Sequence, residues 1–298
     1  MRAKTKGAVL SLGRIYCDLV FTGLASMPRL GREVFAEGLT PTLGGGAFIT
    51  AAHCGALGRK AALVARFGTD PLSLTLEDRL TQPGLDLAFL ERNPQAGPQV
   101  TVVMAHGEER AFLSRRAGHA LPATLGAALD WSEACHLHIA EYATLNEHPG
   151  LIAEAKGRGI TVSLDPSWDE TLIRDPRFFE RTAGVDIFLP NLEEAAALTG
   201  SEAPEACLST LAAHFPLVAL KLGPQGAMLA HQGRVFIQPA LAIAVVDTTG
   251  AGDAFNAGFI DAWLDGSTPE TALSAAIACG SHSVQHAGGI YPTSALAS

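Results

Sequence analysis

The sequence has no hydrophobic run approaching the length of a membrane-spanning helix, so no transmembrane helix is expected. It also has no CxxC pair. Its cysteines (Cys17, Cys54, Cys135, Cys207 and Cys279) form an odd, dispersed set, which suggests reduced thiols in the cytoplasm rather than a disulfide framework. Basic residues are outnumbered, 21 against 30 acidic, and no Lys/Arg stripe is present, so nucleic acid is not expected as a partner. Aromatics are only 6% of the chain, which leaves few platforms on which a nucleobase could stack. There is no internal repeat and no low-complexity linker. The basic start, Met1-Arg-Ala-Lys-Thr-Lys6, precedes Ala8–Leu12, a run too short for a signal peptide that reads as a first strand.

What is present is a chain of 298 residues, 48% apolar, ample for one large buried core. Short β-like runs (Ala8–Leu12, Ala62–Arg66, His136–Ala140, Ile160–Leu164, Asp186–Leu189, Leu217–Leu222) alternate with helical stretches (Phe48–Leu57, His148–Arg158, Leu192–Leu198). That rhythm predicts a largely parallel sheet covered by helices on both faces. Ligands on such sheets bind beyond the carboxyl ends of the strands, where Asp165, Asn191 and Gly223 are expected. Two regions break the rhythm, roughly 14–42 and 98–116. Within them Arg32–Glu37 and Gln99–Met104 carry strand formers and are expected to pair as a small separate sheet.

The most telling segment is Asp247-Thr-Thr-Gly-Ala-Gly-Asp-Ala-Phe-Asn-Ala-Gly-Phe-Ile260. Gly250, Ala251 and Gly252 lead into Asp253 and an apolar helical stretch. A small-residue helix start aims backbone N–H groups at one anion, and the helix dipole adds favourable potential. An acidic side chain there is a poor phosphate ligand, but it suits a base that takes a proton from a hydroxyl attacking phosphorus. The alternative is that Asp253 only caps the helix.

This segment resembles the C-terminal signature of the PfkB (ribokinase-like) carbohydrate kinases, and other motifs extend the resemblance from Gly13 to Gly289. Leu43-Gly-Gly-Gly-Ala-Phe-Ile-Thr-Ala-Ala-His-Cys-Gly-Ala-Leu-Gly58 resembles the family's N-terminal motif, with Gly44 and Gly45 as its glycine pair. Ile49 stands where the family has an Asn that contacts substrate hydroxyls. Gly13-Arg-Ile-Tyr-Cys-Asp18 looks like the first strand and turn, ending in a substrate-holding Asp. Pro190-Asn-Leu-Glu-Glu194 looks like the Asn-x-x-Glu motif, and Lys221-Leu-Gly-Pro-Gln-Gly226 like a nucleotide-side turn. Phe67–Pro71 matches a turn read as structural, and Asp165-Pro-Ser-Trp168 matches an Asp-Pro-Asn segment without its Asn.

The resemblance implies a single ribokinase-like α/β/α sandwich over residues 1–298, with 14–42 and 98–116 forming a β-lid. It implies an ATP-dependent kinase acting on a hydroxyl of a sugar or sugar acid. Asp253 would be the base, and Gly250, Ala251 and Gly252 the anion hole. Asp18, Gly44, Gly45 and Ile49 would face the substrate; Asn191, Glu194, Lys221, Gly223 and Gly226 would face the nucleotide. Mg²⁺ would be held through water by Glu194. K⁺ would lie near Asp247 and Thr249, with Gly288 and Gly289 closing its site. A homodimer through the lid is a further implication. Two alternatives stand beside it: a nucleoside kinase of the same family, and a non-catalytic sensor of sugar or nucleotide. Arg110, Arg115 and Arg116 either hold an anionic substrate or end a solvated hairpin. The pairs His136/His138 and His282/His286 have metal-like spacing but no matching Glu or Cys set.

Overall fold

The computed structural model describes residues 7–106, 109–286 and 289–290. Fourteen strands occur among them: β1 Ala8–Leu12, β2 Tyr16–Thr22, β3 Gly38–Gly44, β4 Ala61–Phe67, β5 Leu85–Asp86, β6 Leu90–Arg92, β7 Val100–His106, β8 Glu109–Arg115, β9 Ala134–Ile139, β10 Thr161–Leu164, β11 Ile187–Phe188, β12 Leu217–Lys221, β13 Ala227–His231 and β14 Arg234–Gln238. Ten form the main sheet, in the order β14-β13-β12-β11-β10-β9-β1-β4-β5, with β6 also on β4. Pairing is parallel from β12 to β5, and antiparallel only for β12–β13 and β13–β14.

Period-two alternation sorts the central strands between two cores. Leu10 and Leu12 of β1 join Val218 and Leu220 of β12 in one apolar cluster. Val9, Leu217 and Ala219 point the other way, into a cluster with Phe255, Phe259 and Ile260 of the helix Ala251–Leu264. Every residue of β1 is buried, as a strand covered on both faces requires. The result is a three-layer α/β/α sandwich.

The remaining strands form a separate four-stranded sheet, β3-β2-β7-β8, parallel only between β2 and β7. The strand expected at Arg32–Glu37 is not there. The chain pairs with β2 only from Gly38, and the preceding loop exposes Leu30 and Phe35. The helix expected over His148–Arg158 begins only at Leu151 and runs to Gly157; a separate helix, Tyr142–Glu147, ends before His148, where Pro149 disfavours helical backbone. Among the described residues, no helix is long and apolar enough to cross a membrane.

Candidate active site

The carboxyl edge of the main sheet gathers the chemistry. Chain segments leaving β1, β9, β10 and β11, and the last residue of β12, place Arg14, Glu141, Asp165, Asn191 and Lys221 there. The helix Ala251–Leu264 starts over the same edge. Its far end is pinned by Arg59, which is buried and donates from Nε to Asp261 Oδ1 at 2.6 Å and from Nη2 to Asp265 Oδ1 at 2.5 Å.

Gly250 occupies the cap position of that helix at φ 73°, left-handed backbone that favours glycine. A Cβ there would lie 2.7 Å from Gly289 Cα. The Ala251 amide bonds Thr248 O at 3.3 Å, whereas the amides of Gly252 and Asp253 have no protein acceptor among the described residues. These are orphan donors of a helix N-terminus, aimed as an anion site requires. The Asp253 side chain makes no capping bond, so the cap alternative has no geometric support.

Asp253 instead faces the glycine motif. A Cβ on Gly46 would sit 2.9 Å from Asp253 Oδ1, and a Cβ on Gly44 would sit 1.9 Å from Asp18 Oδ2. Gly45, at φ 95°, would meet Arg14 O at 2.3 Å. The absence of side chains thus lets backbone and both carboxyl groups share one small volume. Burial pushes the Asp253 carboxyl up to about 7; Asp165 adds to the rise and Lys221 opposes it. Burial, with the Asp253 charge, lifts Asp18 to about 7 as well.

Beneath the anion site lies a polar cluster. Lys221 Nζ donates to Asp165 Oδ2 at 2.7 Å and to Asn256 Oδ1 at 3.3 Å, and Asn256 Nδ2 donates to Asp165 Oδ2 at 2.7 Å. Burial opposes ionisation of Asp165, but Lys221 and Asn256 outweigh it and hold the carboxyl below its usual range. Lys221 is likewise held protonated against burial by Asp165 and Glu194. A Cβ on Gly252 would be 3.5 Å from Lys221 Nζ, so this cation underlies the helix start rather than facing solvent. Asn191 and Glu194 form a reciprocal capping box, each side chain accepting from the other's backbone N–H at 2.8 Å. Glu194 is buried, and its carboxyl is pushed upward by burial and by Asp165.

A cavity of about 660 Å³ opens between the small sheet and this edge. Gly45 and Gly46 line its inner end, β8 contributes Phe112 and Ser114, and the loop after β10 contributes Trp168. Asp18 is buried beside Gly44, one step inward of that lining. Arg110 of β8 crosses to the loop before the anion site, donating to Thr249 Oγ1 at 2.7 Å and pairing with Asp247 Oδ1 at 2.8 Å. The side chains of Asp247 and Thr249 are therefore engaged by Arg110.

Other residues singled out by sequence fall elsewhere. Ile49 does not line the cavity; it is buried in an apolar cluster, its Cγ2 3.2 Å from a Cβ built on Gly250. Gly223 and Gly226 shape the turn after β12: at φ 97°, a Cβ on Gly226 would meet Gln238 O at 2.1 Å. Gly288 lies outside the described residues. His136 and His138 are buried among Thr161 and Ser163, and burial lowers them to about 3 and 4. They are neutral core residues. His286 and His282 belong to no candidate metal cluster among the described residues. Sequence reasoning passed over Asn256, Glu141 and Trp168. Asn256 had a signal, standing one helical turn after Asp253.

A three-layer α/β/α sandwich with a small second sheet, and a carboxylate beside helix-start amides that have no protein acceptor among the described residues, defines a phosphotransferase that acts on an alcohol group. The chain belongs to the pfkB family carbohydrate kinases, whose pattern matches residues 10–296. It is 28% identical to the ATP-dependent ribose-1-phosphate kinase of Halopiger xanaduensis over 91% of this chain and 90% of that protein. The fold is shared with Arabidopsis thaliana ribokinase complexed with ribose and ATP (TM-score 0.81, 24% identity, 96% of this chain and 94% of that one). It is shared too with a putative ribokinase II of E. coli in complex with ATP and Mg²⁺ (TM-score 0.79, 21% identity, 95% and 94%).

Proposed function

We propose that this kinase transfers the γ-phosphate of ATP to a hydroxyl of a sugar-like acceptor held under the small sheet, with Asp253 as general base. The observation carrying this reading is the Asp253 carboxyl, raised to about 7, which lies against Gly46 of the cavity lining and next to the amides of Gly252 and Asp253, which have no protein acceptor among the described residues. A base with that basicity can accept the hydroxyl proton as the oxygen attacks phosphorus. The amides of Gly252 and Asp253, with Lys221 beneath, stabilise charge on the transferring phosphoryl group, whereas the Ala251 amide is already taken by Thr248 O. Asp18, backed by Gly44, accepts from an acceptor hydroxyl and orients it.

The donor set fits hard-cation chemistry: Glu194 presents a carboxyl at the nucleotide edge, and Mg²⁺ bound there through water would neutralise phosphate charge. Asn191, through the capping box, fixes where that carboxyl points. Because Arg110 occupies the side chains of Asp247 and Thr249, a monovalent ion such as K⁺ would be left to main-chain carbonyls of that loop. Turnover in K⁺ against choline salts tests this.

We assign the small sheet, built from 14–42 and 98–116, the role of lid. The edge strands β3 and β8 carry exposed Leu39 and Leu113, and a second copy of the chain is the partner we propose for that surface. Sedimentation at micromolar concentration tests it. The five cysteines are all free, in keeping with a cytoplasmic enzyme. ADP release with a panel of sugars, sugar acids and nucleosides tests the activity; tight binding with no ADP from any of them would instead mark a sensor.

A further inference from the structure

The cavity contains cations, yet each is already matched. Arg14 donates from Nη1 to Glu141 Oε1 at 2.7 Å and from Nη2 to Glu147 Oε1 at 2.5 Å. Arg116 donates to Asp169 Oδ2. The position of Asp169 is fixed independently, because its Oδ1 accepts from the amides of Thr171 and Leu172, both at 3.0 Å. Burial opposes its ionisation, but these amides and Arg116 hold the carboxyl below its usual range. The nearby Lys221 and Arg110 are bound to Asp165 and Asp247. An acceptor carrying a carboxylate or phosphate would have to displace Asp169 from Arg116, or sit against Asp169 and Glu141 with no counter-charge. Like-charge juxtaposition and unpaired buried ions are both costly.

The same cavity offers what an uncharged ring would use. Phe112 and Trp168 line it while remaining 61% and 39% exposed, leaving apolar faces uncovered in a polar site. Trp168 is held there by a loop in which Ser167 takes φ 53° and donates its N–H to Asp165 Oδ1 at 3.0 Å. Strained backbone next to a cavity marks a residue whose placement matters. Hydroxyl partners are also at hand: Thr101 and Ser114, 3.0 Å apart, line the wall. Arg14 Nε is buried without a partner among the described residues.

Resting on the kinase reading above, we infer that the acceptor is an uncharged, hydroxyl-bearing ring compound with a flat or C–H-rich face seated between Phe112 and Trp168, and that sugar acids and sugar phosphates are rejected. Arg116 and Asp169 form the device that rejects them: the carboxylate saturates the arginine of the 98–116 segment that lines the cavity and would attract an anion.

The test uses matched pairs, ribose against ribose 1-phosphate and galactose against galacturonate, with cytidine and adenosine as uncharged rings of the other type. Both ADP release and calorimetric binding are read. The uncharged member of a pair should exceed its anionic partner by about a hundredfold or more in kcat/KM. The better of sugar and nucleoside then identifies the ring. Asp169→Asn should narrow the gap by about tenfold, because it frees Arg116 for the anion. Arg116→Gln, which leaves the carboxylate in place, should widen it. Anionic members used equally well or better overturn the inference, as does a gap unmoved by both variants. Absence of turnover with every compound refutes the kinase reading; binding still decides the charge preference, and binding of none of the panel overturns the inference too.

Discussion

Asp253→Asn separates chemistry from folding, because the two should move in opposite directions. Asparagine keeps the size of the side chain at the end of the Gly250–Gly252 loop but cannot take a proton. Loss of a general base costs about two to four decades in rate, so kcat should fall by that much while ATP still binds. The wild-type carboxyl titrates at about 7, so the enzyme should show an acid limb there, with roughly a tenth of the base ionised one pH unit below. That limb should vanish from the residual activity of the variant.

Stability should shift the other way. The folded protein raises this carboxyl from 3.8 to about 7. A raised carboxyl disfavours the ionised folded state, so the penalty is absent below the unfolded value, grows between 3.8 and 7, and is complete above. At roughly 1.4 kcal/mol per tenfold, it amounts to about 4 kcal/mol at most, part of it shared with Asp18. Asp253→Asn should thus raise Tm at pH 8 and leave it unchanged near pH 4. Steady-state ADP release from pH 5.5 to 9 and thermal denaturation at the two extremes read both effects. A variant keeping more than about a tenth of wild-type kcat, or keeping the acid limb, would refute the assignment of the base.

Lys221→Met removes the charge that opposes protonation of Asp253, so the acid limb should move upward by about one pH unit, visible in the same profile. Arg110→Ala breaks the bridge from β8 to Asp247 and Thr249; kcat/KM for the acceptor should drop roughly tenfold with the ATP KM little changed. Ile49→Asn places an amide in an apolar cluster, and chemical denaturation should show about 1–3 kcal/mol lost without tighter acceptor binding. Asn191→Ala opens the capping box and should cost about 1 kcal/mol in the same measurement.

Backbone requirements were the most legible part of this chain. A glycine that must take φ 95°, or whose Cβ would come within 1.9 Å of a carboxyl oxygen, cannot be replaced, so Gly44, Gly45 and Gly250 stand out in the sequence itself. Alternating β and helical runs likewise revealed the main sheet, because burial on both faces demands continuous apolar strands. The boundaries of the small sheet were less legible. Val34 and Phe35 look like strand residues, yet which stretch pairs with β2 is fixed by register across a sheet whose strands are far apart in sequence.

Charge pairing was not legible at all. Arg14 and Glu141 are 127 residues apart, and Arg110 and Thr249 139. Read singly, each arginine looks like a solvated surface group; only the topology shows that each already has its carboxylate. Ile49 shows the reverse failure. The motif position led to the expectation that Ile49 faces a substrate, but the sequence could not say what surrounds it. Packed against Gly250 and away from the cavity lining, it supports the start of the helix Ala251–Leu264. An apolar residue in that place takes nothing from the acceptor that Asp18, Ser114 and Thr101 do not offer. The substitution that most favoured a sensor is therefore compatible with the proposed catalysis, because what it alters is packing under the Gly250–Gly252 loop and not the lining of the cavity.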